Sequence, residues 1–120
     1  MQIEEDDRKK AVIRALLDDY SRLILTTTML MPKSVIDITR EHNIPITSAY
    51  RKVKELKESG LVKVERIVLT PDGKKFELVK STIRTANVQF DNGALNVEVS
   101  SGVQADEKFV KRFFALREAR

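Results

Sequence analysis

The periodicity of the apolar residues changes at Gly60, and this change limits the possible fold more than any other feature of the sequence. Before Gly60, Ala49, Val53 and Leu56 recur at helical spacing and share one side of a helix that we expect over residues 47–59. After Gly60, apolar and polar residues alternate as they do in a β-strand. The sequence therefore predicts a helix that ends at Gly60 and leads directly into a strand.

A shorter helix is predicted just before this one. Ser34 is its expected N-cap, in a capping box completed by Asp37, and Asn43 is expected to end it in a left-handed conformation. The tight connection over residues 44–46 then leads to Thr47, the expected N-cap of the longer helix. Two short helices joined by a turn of three or four residues form a helix-turn-helix unit.

A β-hairpin is predicted after the helix-turn-helix. In its first strand, Val62, Val64 and Val68 are expected to alternate with polar or outward-facing residues. Residues 70–73 place a proline and a glycine where a tight turn favours them, and residues 75–81 are expected to return as the second strand.

The order helix, turn, helix, hairpin is that of a winged helix, which we expect to be centred on residues 34–81. A helical stretch that is either broken or continuous at Asp18 and Asp19 completes a core over residues 1–81. Residues 82–120 are expected to add a second β-hairpin and a terminal amphipathic helix to the same single domain. The predicted fold class is therefore α+β.

The second hairpin has a strong turn signal, because an Asn-Gly pair at residues 92–93 lies between two alternating runs. With this pair at the tip, Phe90 is expected opposite Leu95, and Val88 opposite Val97. One face of this hairpin is therefore predicted to be apolar.

Composition excludes several classes of site. Hydrophobic residues make up 42% and charged residues 33% of the chain, as in soluble globular proteins. The absence of cysteine excludes disulfides, thiolate metal sites and a cysteine nucleophile, and the single histidine, His42, leaves little room for a zinc site or a catalytic triad. The sequence has no glycine-rich phosphate loop and no catalytic constellation. We therefore expect no enzymatic activity, no cofactor and no metal.

The sequence also bears on location. It has no apolar run near the roughly 20 residues that a membrane helix needs. Its first residues are acidic, whereas a secretory signal begins with basic and then apolar residues. We expect no membrane association and a cytoplasmic location.

The net charge of +4 is concentrated in the middle third of the chain. Residues 47–80 contain nine Lys or Arg and five Asp or Glu, whereas the segments on either side are nearly balanced. A basic segment is typical of a surface that meets a polyanion such as DNA. Charge alone is explained equally well by an ordinary solvated surface, so it gains meaning only together with the winged-helix pattern.

The helix over residues 47–59 presents polar side chains opposite its apolar side, as a helix that enters the major groove does. We expect Arg51 to donate two hydrogen bonds to a guanine edge. Hydroxyl groups, a lysine and a tyrosine beside it suit phosphates, base edges or a thymine methyl group, and cations of the hairpin suit flanking phosphates or a minor groove. The predicted DNA-binding residues are Ser34, Thr47, Ser48, Tyr50, Arg51, Lys54, Arg66, Lys74 and Lys75.

A simpler interpretation of these cations stays open. On the helix, Arg51 and Lys54 are spaced to form ion pairs with Glu55 and Glu58, four residues further along, and would then only solvate a surface helix. The cations of the hairpin would keep an exposed strand edge from associating with other edges.

Three segments together resemble the ArsR-like winged-helix transcription regulators, especially their small archaeal members. These are residues 19–25, residues 44–62, which end in the Ser-Gly-Leu-Val sequence, and the turn at residues 71–75. The resemblance covers residues 10–99 and fixes the superfamily better than the subfamily, because the helix–Gly-Leu-Val pattern occurs in many winged-helix families. It implies a homodimer that binds operator DNA near a promoter. The helix over residues 34–42 lacks the cysteines of the metal-sensing branch, so metal-responsive regulation is not expected.

The terminal segment offers a dimer contact. From Asp106 onward an amphipathic helix is predicted, and its apolar stripe either pairs with a second copy of the chain or packs back on its own chain. The predicted dimer-interface residues are Phe109, Val110, Phe113 and Leu116. Two other functions stay open: a winged helix used as a protein-interaction module in a transcription assembly, and a repressor that responds to a ligand bound between the second hairpin and the terminal helix.

Overall fold

The computed structural model describes residues 5–101. The chain divides into two compact units, the first ending at Thr82 and the second beginning at Ile83. In the first unit, the helices are α1 (Glu5–Leu17), α2 (Asp19–Thr27), α3 (Val35–His42) and α4 (Ile46–Glu58), followed by strands β1 (Val62–Leu69) and β2 (Lys75–Ser81). In the second unit, the strands are β3 (Thr85–Asp91) and β4 (Ala94–Ser100). The described residues thus form a mixed α+β structure with four helices and two antiparallel hairpins.

The first two helices are separate. Asp18 lies between them in an extended conformation, with φ −97° and ψ 124°, and its carboxylate accepts a hydrogen bond of 2.8 Å from the backbone amide of Ser21. This contact caps the first turn of α2 and decides between the two alternatives that the sequence left open. On α2, Ile24 and Leu25 are buried and Leu23 is half-buried.

Helix α3 begins and ends as predicted. The amide of Asp37 donates a hydrogen bond of 3.1 Å to the hydroxyl oxygen of Ser34, which makes Ser34 the N-cap. Asn43 follows the last residue of α3 with φ 54° and ψ 40°, the left-handed conformation that asparagine tolerates better than most residues.

The N-cap of α4 lies two residues earlier than predicted, and the assignment of Thr47 as that cap is wrong. The carbonyl of Pro45 accepts the first helical hydrogen bond, 2.9 Å from the amide of Ala49, so Pro45 is the cap and has no side-chain bond to the first turn. Thr47 is therefore already inside the helix, where it is exposed. The preference of threonine for capping positions suggested Thr47, but the geometry of the Ile44-Pro45 connection sets the start of the helix.

The end of α4 follows the prediction closely. Gly60 has φ 79°, a left-handed conformation in which a residue with a Cβ is strained. The amide of Leu61 bonds to the carbonyl of Leu56 at 2.8 Å, and the amide of Gly60 bonds to that of Lys57 at 3.0 Å, the two bonds of a Schellman motif. Leu61 is fully buried beside the last turn, so the chain leaves the helix at a fixed angle and enters β1.

The core of the first unit lies between the helices and the base of the first hairpin. Its fully buried side chains come from different elements, with Ile24 from α2, Ile38 from α3 and Val79 from β2. Lys33, in the connection before α3, exchanges two backbone hydrogen bonds with Val79, of 3.0 and 2.8 Å. These bonds fasten the helix-turn-helix to the hairpin, and the resulting arrangement is that of a winged helix.

The first hairpin, which we call the wing, has the predicted turn but not the predicted faces. Gly73 closes the turn with φ 85°. A β-bulge lies between Val64 and Arg66, because Val64 pairs with Val79 and Arg66 with the next residue, Leu78. An extra residue reverses the alternation of a strand, so Val68 lies on the opposite face from Val64. The regular alternation expected along β1 is therefore wrong beyond Val64.

The second hairpin has the predicted register. Asn92 and Gly93 form its tip with φ 51° and 79°, the two positive values of a type I′ turn. Val88 pairs with Val97 as expected, and Phe90 with Leu95. The terminal helix predicted from Asp106 lies outside the described residues.

Candidate nucleic-acid interface

The candidate interface is the outward side of α4. Its inward side consists of Ala49, Val53 and Leu56, which are all buried. A helix advances 100° per residue, so the opposite side carries the residues predicted to contact DNA. Thr47, Tyr50, Arg51 and Lys54 are exposed there, and Ser48 is half-buried at the margin.

The ion pairs of α4 separate its cations into two groups. Lys52 pairs with Asp18 at 3.3 Å and lies 3.9 Å from Glu55, while Lys57 pairs with a residue of the wing. None of the ion pairs found within residues 5–101 includes Arg51 or Lys54. The pairs with Glu55 and Glu58 that would have explained these two cations as surface solvation are not formed. Both cations are exposed, and neither has a counterion among the described residues.

Lys52 fastens α4 to the start of α2. Its partner Asp18 also accepts a hydrogen bond from Ser21. Burial tends to raise the pKa of Asp18, but hydrogen bonds from the Ser21 amide and hydroxyl and from Lys52, together with the lysine charge, hold that pKa below its usual value. The carboxylate therefore stays ionised and keeps both its capping and its pairing role.

Lys57 fastens α4 to the wing. Its Nζ donates a hydrogen bond of 3.0 Å to the carboxylate of Glu77 on β2, across 20 residues of sequence. Glu77 shares its face of the wing with Val79, which is buried against the helices. This contact fixes the wing relative to α4, and residue spacing along the chain does not predict it.

The predicted wing cations do not all share one face. Lys75 lies on the same face of the wing as Glu77, which contacts α4. Lys74 is in the turn, and Arg66 lies on the outer face, where it pairs with Leu78. All three cations are exposed, and the ion pairs within the described residues leave them unpaired. Lys75 therefore lies on the face of the wing that contacts α4 through Glu77, and Arg66 lies on the opposite face.

Ser34 has a structural role. It is only 7% exposed, and its hydroxyl oxygen accepts the capping hydrogen bond of α3. We leave it out of the proposed interface for these two reasons.

His42 ends α3 beside a polar cluster. Its Nε2 lies 3.9 Å from a carboxylate oxygen of Glu41, which also bonds to Lys33 and accepts a hydrogen bond of 3.1 Å from Thr27. The hydrogen bond from Lys33, then that from Thr27, lowers the pKa of Glu41. Within residues 5–101, we find no group of three His, Cys, Asp or Glu side chains that could hold a metal ion.

An open groove of about 550 Å³ lies between α4 and α1. Ala11, Ala15 and Leu56 line its floor, and charged residues including Asp18 and Lys52 line its rim. A volume of this size is in the range of small-molecule pockets.

Comparisons with known proteins do not identify the family. No family model and no curated protein matches the chain. One similar solved structure is described as a manganese uptake regulator; the match covers 95% of this chain and 77% of that one, with 16% sequence identity and a TM-score of 0.33. A likeness at this level carries no argument about either fold or function. Among the described helices, none combines the length and the apolar composition that a membrane span requires.

The predicted dimer residues lie outside the described range: Phe109, Val110, Phe113 and Leu116.

Proposed function

We propose that this protein is a DNA-binding transcription regulator that places α4 in the major groove and the wing beside the flanking phosphates. The observation that carries the proposal is that Arg51 and Lys54 are exposed on the outward side of α4 and form no ion pair with any residue that the structure describes. Cations without a counterion bind phosphates at no cost of breaking an existing pair, and the counterions they release from DNA drive association.

The local chemistry around these cations supports the same proposal. Arg51 has the forked guanidinium that bonds twice to a guanine edge, and Lys54 suits a phosphate. Thr47 and Ser48 bring hydroxyl groups to the first turn of α4, where the structure has no side-chain cap and no acidic residue. From the wing, the exposed cations Lys74 and Lys75 contact the flanking phosphates in this proposal.

We extend the proposal to the family and the assembly. The resemblance of residues 19–25 and 44–62 to ArsR-like archaeal regulators favours a cytoplasmic repressor or activator that binds as a homodimer. A two-fold dimer would contact two half-sites about one helical turn apart. Footprinting of a bound promoter tests this directly, since a monomer would protect a single half-site.

The experiment that tests the function is an anisotropy titration of promoter fragments with the wild-type chain and with Arg51→Ala. We expect the substitution to weaken specific binding by about 1–3 kcal/mol and to relax the preference at one base position. Arg14→Ala is the matched control, because Arg14 is an exposed arginine on α1 and is not among the residues of the proposed interface. If Arg51→Ala binds every duplex as tightly as the wild-type chain does, Arg51 has no role in recognition.

A second candidate function is a protein-interaction module. The wing exposes the apolar side chains of Ile67 and Leu69, which are 56% and 66% exposed. Exposed apolar side chains on a hairpin are better suited to contact a protein partner than to contact a phosphate backbone. This function predicts that duplex binding is absent, or independent of salt concentration.

The groove between α1 and α4 is a second candidate site for ligand-responsive regulation, beside the site expected between the second hairpin and the terminal helix. A molecule bound in the groove would contact Lys52 and Leu56, and thus α4 itself. A ligand that binds only the folded chain raises its melting temperature, so thermal shift in the presence of candidate effectors tests this extension.

A further inference from the structure

The second hairpin has one apolar and one polar face. Residues directly opposite each other on paired strands share a face. The pairs Val88–Val97 and Phe90–Leu95 therefore lie on one side, together with the pair nearer the hairpin base, Ala86–Val99. We call these six residues the ribbon face. The alternate pairs on the other side are polar, among them Asn87–Glu98 and Gln89–Asn96.

The described residues leave the ribbon face largely uncovered. Phe90 is 76% exposed, Val88 44% and Leu95 41%. A two-stranded hairpin on its own is marginally stable at best, and it gains stability when its apolar face packs against another element. A contiguous exposed apolar patch of this kind marks a contact surface.

The chain itself contains a segment of matching chemistry. Only five residues, 101–105, separate the end of β4 from residues 106–116, which are predicted to form an amphipathic helix. Three of the five phenylalanines of the chain are in this short segment, as Phe109, Phe113 and Phe114. We propose that residues 106–116 pack as a helix on the ribbon face of their own chain.

The dimensions agree with this packing. The ribbon face extends over four residue steps of β3, or about 13 Å. A helix of 11 residues is about 16 Å long, and a linker of five residues spans up to about 17 Å. The helix can therefore start near the base of the hairpin, where β4 ends, and run back along the ribbon face toward the tip.

The short linker also favours the same chain over a second copy. A segment tethered by a few residues has an effective concentration in the millimolar range at its target. A second copy at micromolar concentration competes poorly with such a segment. The apolar stripe that the sequence offered as a dimer contact is thus assigned to the interior of its own unit, and this assignment holds whether or not the protein binds DNA.

Cysteine cross-linking tests the proposal, because the chain has no cysteine of its own. Leu95→Cys is combined in turn with Phe109→Cys, Phe113→Cys and Leu116→Cys, and disulfide formation is followed under mild oxidation at low micromolar protein. Asn96→Cys replaces Leu95→Cys in the control series, because Asn96 is the next residue of β4, is also exposed and lies on the polar face.

We expect at least one helix position to form an intrachain disulfide at least tenfold faster with Leu95→Cys than with Asn96→Cys. Equal rates for the two faces, no disulfide in either series, or disulfides mainly between two chains would each overturn the proposal. The last result would instead identify a second copy as the occupant of the ribbon face.

A thermal unfolding cycle tests the same contact without cysteines. A phenylalanine that is truly 76% exposed contributes little to stability, so Phe90→Ala should then leave the melting temperature unchanged. The proposal instead predicts that Phe90→Ala and Phe113→Ala each lower the melting temperature by several degrees. The double variant should lower the melting temperature by clearly less than the sum of the two single effects. Unchanged melting temperatures, or strictly additive losses, would contradict it.

Discussion

Replacing Lys54 by glutamine should change the salt dependence of DNA binding by a calculable amount. Four exposed cations that form no ion pair within residues 5–101 belong to the proposed interface: Arg51, Lys54, Lys74 and Lys75. If each of these positive charges offsets one phosphate charge, whether it lies against a phosphate or, as proposed for Arg51, against a base edge in the groove, the logarithm of the binding constant falls with the logarithm of salt concentration with a slope of about −3.6 per chain. Raising salt from about 50 to 200 mM then weakens binding roughly 150-fold.

Lys54→Gln removes one of these four contacts. The slope should become about −2.7, and the same salt change should then weaken binding only about 40-fold. The variant should accordingly bind about 15-fold more weakly than the wild-type chain near 50 mM salt, but only about fourfold more weakly near 200 mM. Fluorescence anisotropy with one labelled duplex over a series of salt concentrations measures both slopes.

The matched control is Lys63→Gln. Lys63 is also exposed, but its Nζ lies 3.6 Å from Glu65 on the same strand, and it is not part of the proposed interface. The two variants have the same net charge, so a nonspecific effect of charge would change both slopes equally. Equal slopes for Lys54→Gln and Lys63→Gln would refute the assignment of Lys54 to a phosphate contact.

Three further predictions concern the scaffold that presents α4. Gly60→Ala should lower the free energy of unfolding by about 1–2 kcal/mol in chemical denaturation, because the left-handed φ of 79° strains any residue with a Cβ; since the nearest atom to such a Cβ is 3.8 Å away, a larger loss would point to a steric cause instead. Ser34→Ala should cost about 1 kcal/mol through loss of the α3 cap, whereas Ser34→Asp should retain most of the stability in the same assay. Folding lowers the pKa of Asp18, so the stability that Asp18 contributes is present above its unfolded pKa near 3.8 and is lost as the pH falls through the lower folded pKa. The free energy of unfolding should therefore depend less on pH over this acidic range in Asp18→Asn than in the wild-type chain. An unchanged pH profile would exclude Asp18 as a contributor.

Local signals predicted the turns and most of the helix ends, but not the start of α4. The caps at Ser34 and Asn43, the stop at Gly60 and the tip of the second hairpin each depend on a few neighbouring residues whose backbone preferences agree with one another. The pairing of Phe90 with Leu95 followed from the turn, because a two-residue turn fixes the register of its hairpin. These features could therefore be predicted from sequence before any tertiary contact was known.

Features that depend on distant residues were not accessible in this way. The bulge after Val64 moves the following residues of β1 to the opposite face of the wing, and the sequence of β1 does not predict it. The contacts Lys52–Asp18 and Lys57–Glu77 bridge different elements, so spacing along α4 does not reveal them. These contacts decide which cations of α4 form ion pairs with other described residues and which are available to a partner. Without them, the paired cations of α4 could not be separated from the candidate DNA-binding ones.

The most direct test of the central claim is to ask which bases lie beside the outward side of α4. Thr47→Cys places a thiol on that side, and an iron chelate attached to it cleaves nearby DNA; Lys10→Cys, on an exposed position of α1, carries the same chelate as a control. We predict cleavage from Thr47→Cys that is confined to a few base pairs around one major groove of a bound promoter, and none from Lys10→Cys. Absent cleavage from Thr47→Cys on a duplex that the protein still binds, or the same cleavage from both positions, would contradict the assignment of α4 as the recognition helix.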